Sequence, residues 1–183
     1  MKIIFIFLSF FWCWTVVGFG QETMTPELFQ QIVATPGDGL PLPPQITSAM
    51  PLWTNATATV VMKYQTGKIY TESGKVSARS VGGKYVVFTV QSKFYKQPVN
   101  SILTYDTKAS AIKTYGFYGG TVTIATAVID YDKKIYAENS TYGDGFNEIT
   151  VGSYSNTESS EHTIVYHNGV LAMTRDVDTH PGH

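Results

Sequence analysis

The sequence predicts an all-β domain, an antiparallel up-and-down meander of nine or ten strands closed into a barrel and preceded by a short helix. Three observations predict it. From Leu52 onward, β-branched and aromatic segments are punctuated by turn residues every 8 to 14 positions. No long stretch of 3.6-residue period competes with them. The turns are short, so consecutive strands pair; a meander of that length hides its two edges by closing into a barrel or folding into a sandwich, and the short sequential hairpins favour the barrel.

The chain has 183 residues and 20.2 kDa, the size of one domain with a leader. Its first twenty residues run from Lys2 through an uncharged apolar stretch, Ile3 to Val17, to Gly18-Phe19-Gly20 before Gln21. That order of basic, apolar and small residues predicts a secretory signal over 1–20, cut after Gly20; the alternative is an uncleaved membrane anchor, for which Ile3 to Phe19, at roughly 25 Å as a helix, is slightly short. Cys13, the one cysteine, lies inside that run, so the chain after cleavage offers no disulfide, thiolate nucleophile or cysteine-based zinc site. No later apolar run is long enough to span a bilayer.

Residues 21–51 form a separate approach to the domain. Six of the eight prolines fall between Pro26 and Pro51. Thr25-Pro26-Glu27 reads as an N-cap with proline at the first helical position, and Leu28, Ile32 and Val33 supply a short apolar stripe. From Thr35 to Pro51 the Pro, Gly and Asp content predicts an extended connector. The barrel itself is assigned to 52–178, and 179–183 to a tail.

Within the barrel, Asn168-Gly169 is the surest hairpin, because both residues accept the positive φ of a type I′ turn. Gly82-Gly83 joins another pair of strands, and further turns are expected at Gln65 to Gly67, Asp106 to Ala109, Gly119-Gly120, Asp130 to Lys133 and Gly143 to Gly145. Period-2 reading then assigns faces. Val86, Phe88 and Val90 share one apolar face; Val122, Ile124 and Val128 make another; Leu171, Met173 and Val177 make a third, with Arg175 at the same parity.

A formal charge of -1 and 15% charged residues leave no basic footprint for a nucleic acid. An inward Arg175 needs a partner, because a buried guanidinium left unpaired is costly. Trp53, just ahead of the first strand at Thr57 to Tyr64, neighbours the last strand if the barrel closes, and a cation–π contact between the two would plug one end.

In this pairing the chain resembles the lipocalin-like, or calycin, barrels, which set a Trp at the start of the first strand against an Arg near the end of the last. Residues Arg79 to Val87, Leu103 to Asp106 and Met173-Thr174-Arg175 are similar to an uncharacterised branch of that superfamily found in exported bacterial proteins. Two departures stand out: Pro51 replaces the Gly usually found two before the Trp, and the second Trp of a mid-barrel strand is replaced by Tyr115, Phe117 and Tyr118. The resemblance implies structural closure by Trp53 and Arg175. It also implies a small apolar or amphipathic ligand in an interior lined by Val86, Phe88, Val90, Ile124, Leu171, Met173 and Arg175.

Other candidate chemistry is thin. His162 and His167 are an odd number apart and project to opposite faces of one strand, so they do not chelate one metal. His162 shares parity with Ile164 and Tyr166, where a cavity-facing histidine would be a haem ligand, but the glycine-rich motif of haem-binding barrels is missing. Asp176, Asp178 and His180 alternate at about 6.5 to 7 Å, too widely for one ion. There is no Gly-x-Ser-x-Gly elbow and no phosphate-binding glycine loop, so neither an enzyme nor a resident cofactor or metal is expected. Asn55-Ala56-Thr57 and Asn139-Ser140-Thr141 match glycan acceptors. Twelve tyrosines between Tyr64 and Tyr166 support the alternative to a carrier: a filled barrel that binds a protein or glycan through a Tyr-rich surface.

Overall fold

The computed structural model describes residue 27 and residues 41–182, apart from 94–97, 119–120 and 143–144. The predicted signal over 1–20 and, except for Glu27, the helix expected from Pro26 to Val33 lie outside the described residues. Helix α1 (Pro44–Thr54) leads into ten strands: β1 (Ala56–Tyr64), β2 (Ile69–Val81), β3 (Tyr85–Ser92), β4 (Val99–Asp106), β5 (Ala111–Tyr118), β6 (Thr121–Asp130), β7 (Ile135–Tyr142), β8 (Phe146–Tyr154), β9 (Ser159–His167) and β10 (Val170–Pro181). Every strand pairs antiparallel with its chain neighbours, and β1 pairs with β10 from Ala56↔Pro181 to Tyr64↔Met173 to close the barrel. The all-β meander expected from the sequence is therefore the fold observed.

The turns follow their residues. Asn168 and Gly169 have φ of 50° and 79°, and Gly82 and Gly83 have φ of 60° and 69°, which gives the twist that tight hairpins require. Elsewhere an aspartate closes the turn itself: the Asp106 carboxylate accepts from the Lys108 and Ala109 amides at 3.0 and 3.1 Å, and that of Asp130 from the Lys133 amide at 3.1 Å.

Two boundaries differ from expectation. Pro44 to Thr54, which spans the expected boundary between the connector ending at Pro51 and the barrel starting at Leu52, is helical. Pro44 opens the helix, where a missing N–H costs nothing, and Ile46, Ala49 and Leu52 recur at three-residue spacing and are all buried. Packing of that stripe outweighs Pro51 inside the helix. At the other end, residues 179–181 continue β10 rather than forming a tail: Thr179 pairs with Ala58 and is buried.

Parity and register place Ala56, Ala58, Val60 and Met62 of β1 on the inner wall with Val76 and Ala78 of β2, Val86, Phe88 and Val90 of β3, and Leu103 and Tyr105 of β4. One predicted face is reversed. On β6 the buried residues are Ala125 and Ala127, while Val128 is 62% exposed, so Ile124 points outward. The inner wall is small there because Leu42 and Ile46 of the α1 region fill the space between Ala78, Val86, Ile112 and Ala127; larger side chains sit outside. Leu171 is also misassigned. A bulge between Leu171 and Met173 leaves Ala172 without a partner in the β9 ladder, so Leu171 pairs with outward Tyr166 and Met173 with inward Val165.

Candidate functional site

Among the described residues, the interior of the barrel gathers polar and apolar side chains away from bulk water, and it has two unlike halves. Across β2 to β6 it is apolar and occupied. Leu42 and Ile46 are each 5% exposed, and Leu52 is 1% exposed. Trp53 meets Phe88 edge to face, with ring centroids 5.9 Å apart and planes at 67°. The Leu42 amide donates to the Gly83 carbonyl at 3.0 Å, which ties the start of this stopper to the β2–β3 turn.

Across β7 to β10 the inner wall is polar. Inward parity assembles Tyr136, Glu138 and Ser140 of β7, Glu148 and Thr150 of β8, Glu161 and Thr163 of β9, and Arg175 of β10. Arg175 donates from Nη1 to Glu148 Oε1 at 3.1 Å and from Nη2 to Glu148 Oε2 at 2.7 Å. The side chains of this bidentate pair are 23% and 7% exposed. Beside it, Thr150 and Thr163 share a hydrogen bond of 2.9 Å.

Gly152 makes room for the next contact. It lies between Tyr136 and Glu161 in the register, and a Cβ there would stand 2.4 Å from the Tyr136 ring. With no side chain in the way, the Tyr136 hydroxyl crosses β8 and donates to Glu161 Oε1. Burial raises the Tyr136 hydroxyl far above its usual range, and the neighbouring Glu161 charge adds to this. Ser140 donates to Glu138 Oε1 at 3.1 Å. Burial pushes the Glu138 carboxyl up to about 7; the charges of Glu161 and Glu148 raise it further, while Ser140 and Arg175 oppose the shift. On β2, Glu72 Oε1 accepts from Ser92 at 2.9 Å, and its buried Oε2 has no hydrogen-bond partner among the described residues.

Part of the inner wall is open to water. Val60, Val90, Met173 and Val177 face inward in a closed barrel yet keep intermediate exposure, so water reaches them. Ten strands make a wider barrel than the eight that side chains just fill.

Of the residues the sequence singled out, Val86, Phe88, Val90, Met173 and Arg175 line the inner wall, whereas Ile124 and Leu171 do not. The partner the structure gives Arg175 is Glu148 rather than Trp53. Trp53 precedes Ala56, whose partner Pro181 is six positions along β10 from Arg175, about 20 Å of strand. The sequence reading missed Tyr136, Glu138, Glu148 and Glu161. Their signal was parity with Ser140, Thr150 and Thr163, legible once those strands were known to hide small polar residues.

The outer face holds the histidines. His162 Nδ1 lies 2.6 Å from Asp176 Oδ1, and Lys63 donates to Asp176 Oδ2 at 3.1 Å. Hydrogen bonds from His162 and then Lys63 hold the Asp176 carboxyl below its usual range. An outward His162 is not a ligand for anything inside the barrel. His167 stacks on Phe146 at 4.3 Å, and His180 and Asp178 border a rim cavity of about 230 Å³ with Ser153 and Ser160. No three His, Cys, Asp or Glu among the described residues are grouped to hold a metal, and no described helix is long and apolar enough to cross a membrane. Asn139, of one glycan-acceptor match, sits in mid-strand on β7 beside buried Ser140.

These features define a class: a closed, ten-stranded antiparallel barrel of the lipocalin-like kind with a stoppered, partly polar lumen. No protein-family model and no curated protein matches the chain. Among solved structures it is similar to Rv2717c from M. tuberculosis, with a TM-score of 0.60 and 13% identity over 78% of this chain and 99% of that one. It is also similar to a protein of unknown function from the DUF3598 family of Nostoc punctiforme, with a TM-score of 0.47 and 12% identity over 78% of this chain and 51% of that one. At these identities the likeness to Rv2717c concerns the fold alone.

Proposed function

We propose that the chain is an exported, non-enzymatic carrier that holds a small amphipathic molecule in the lumen of its barrel. The observation that carries this reading is the water-accessible inner wall: apolar Val60, Val90, Met173 and Val177 lie beside carboxylates and Arg175, all inside a closed sheet. An apolar wall with a few convergent polar groups is the usual make-up of a small-molecule site. The order of basic, apolar and small residues over 1–20 supports export. The surface-module alternative is less favoured, because Tyr64, Tyr70, Tyr105, Tyr136 and Tyr142 carry the inward parity, so much of the tyrosine content does not face a partner.

Native mass spectrometry of the chain from Gln21, purified from the exported fraction of its own host, tests both halves of the proposal. A stoichiometric small molecule that is lost on denaturation is the expected result. A bare mass with no uptake of fatty acids, haem or apolar dyes on titration would overturn the carrier reading, and recovery of the chain only inside the cell would overturn export.

A further inference from the structure

We propose that the occupant of the lumen carries a protonated amine, received at Glu138 and Glu161, with its hydrocarbon body lying along Val60, Met173 and Val177. This inference rests on the carrier reading and names the ligand class.

Among the described strands, four carboxylates turn inward, those of Glu72, Glu138, Glu148 and Glu161, against one inward guanidinium, that of Arg175. Arg175 binds both oxygens of Glu148, so that pair is neutral. Among the described residues, the hydrogen bonds to the other three carboxylates come from neutral hydroxyls, although the Arg175 charge also acts on Glu138. Ser140 serves Glu138 Oε1, Tyr136 serves Glu161 Oε1 and Ser92 serves Glu72 Oε1. The second oxygen of Glu72 is fully buried and accepts nothing among the described residues.

A carboxylate shielded from bulk water is costly unless a positive charge and further donors reach it. An ammonium group supplies one charge and three donors; a carboxylate or phosphate ligand would meet like charge instead. The register sets the shape of the remainder. Along one line of the inner wall Tyr136, Gly152 and Glu161 are followed by Val177 of β10, Val60 of β1 and Glu72 of β2. The acidic groups thus flank an apolar strip two strands wide, roughly 5 Å per strand, which suits an aliphatic chain attached to the amine.

Glu138 also makes the affinity pH-dependent. Its carboxyl, raised to about 7, must lose its proton to pair with a cation, so binding strengthens as pH rises through neutrality. Among the described residues, the charged and titratable groups turned into the same lumen are Tyr64 of β1, Tyr70 and Glu72 of β2, Tyr105 of β4, Tyr136 and Tyr142 of β7, Glu148 and Tyr154 of β8, Glu161 of β9 and Arg175 of β10.

Isothermal titration of the chain from Gln21 with n-octylamine, sodium octanoate and 1-octanol, at pH 6 and pH 8, decides the matter. The amine is expected to bind at least tenfold more tightly than either other probe at pH 8, and about tenfold more tightly at pH 8 than at pH 6. Glu138→Gln should remove most of that preference and flatten the pH dependence. Glu161→Gln should weaken the amine without flattening it, and serves alone if the first variant does not fold. Octanoate or octanol binding as well as the amine, or an amine affinity indifferent to both substitutions, overturns the inference and leaves the carrier reading standing. Failure of all three probes to bind overturns the carrier reading itself.

Discussion

The two halves of the barrel are built from the same strand geometry and differ in what fills them. Across β2 to β6 the inner wall is lined with Ala78, Val86, Ile112 and Ala127, and the chain's own Leu42 and Ile46 occupy the space. Across β7 to β10 it carries Tyr136, Glu138, Glu148, Glu161 and Arg175, and the side chains of Met173 and Val177 stay within reach of water. Stability and ligand capacity are therefore divided between regions. One half contributes buried apolar area; the other holds polarity at a cost in stability and leaves room for a guest.

Truncation should expose this division most sharply. Ile46→Ala in the stopper is expected to cost about 3 to 4 kcal/mol, within the range of about 2 to 5 for a buried aliphatic side chain, whereas Val177→Ala on the watered wall should cost under about 1.5 kcal/mol. Urea unfolding of both variants checks this, and equal losses would mean that the halves are equally packed. Arg175→Met comes next, at about 3 kcal/mol near pH 7, because it strands the buried Glu148 carboxylate. Adding Glu148→Leu to the same chain should recover most of the loss.

Glu138 provides the opposite sign. Its folded pKa, about 7, lies above the ordinary 4.5, so the folded state holds the proton more tightly. Stability is then unpenalised below about pH 4.5, falls as pH rises towards 7 and levels off above that, by a total of order 3 kcal/mol. Glu138→Gln should therefore stabilise the protein by roughly 2 kcal/mol at pH 8 and change little at pH 4, as measured by thermal or urea unfolding at both values. Gly152→Ala, which displaces the Tyr136 ring from its path to Glu161, should cost about 1 to 2 kcal/mol. On the outer face, Asp176→Asn should cost less than about 1 kcal/mol, because its contacts with His162 and Lys63 are largely exposed to solvent.

The sequence disclosed the barrel and hid much of the site, for a physical reason. Turn chemistry at Asn168-Gly169 and Gly82-Gly83, together with the alternation in β3, is local, and local signals survive without a structure. Faces were read on the assumption that the larger apolar side chains point inward. That held for Val86, Phe88 and Val90 and failed for Ile124, because the space inside β6 is taken by residues more than sixty positions earlier in the chain. Leu171 failed for a second reason: a single bulge inverts parity, and no residue type announces it. Trp53 and Arg175 look like partners in the sequence, but the strand register that carries Trp53 about 20 Å away exists only once β1 and β10 are paired. Glu138 and Glu161 look like ordinary solvent-facing strand residues until the wall they line is known.

The pairing of β1 with β10 also governs how the barrel comes together. The other nine strand pairs join neighbours in sequence through short turns, and such hairpins form on a microsecond scale. The tenth pair brings Ala56 beside Pro181 across the whole length of the domain, and that search is the slow, non-local step. Until it is complete, two bare strand edges face solvent with no disulfide to hold them, so the chain is most prone to associate with its own copies just before closure. A circular permutant that links the two adjoining ends and opens the Asn168-Gly169 hairpin would make the β1–β10 pairing local and the β9–β10 pairing the one between distant chain ends, so it should keep the same lumen while the slow step moves to the new seam.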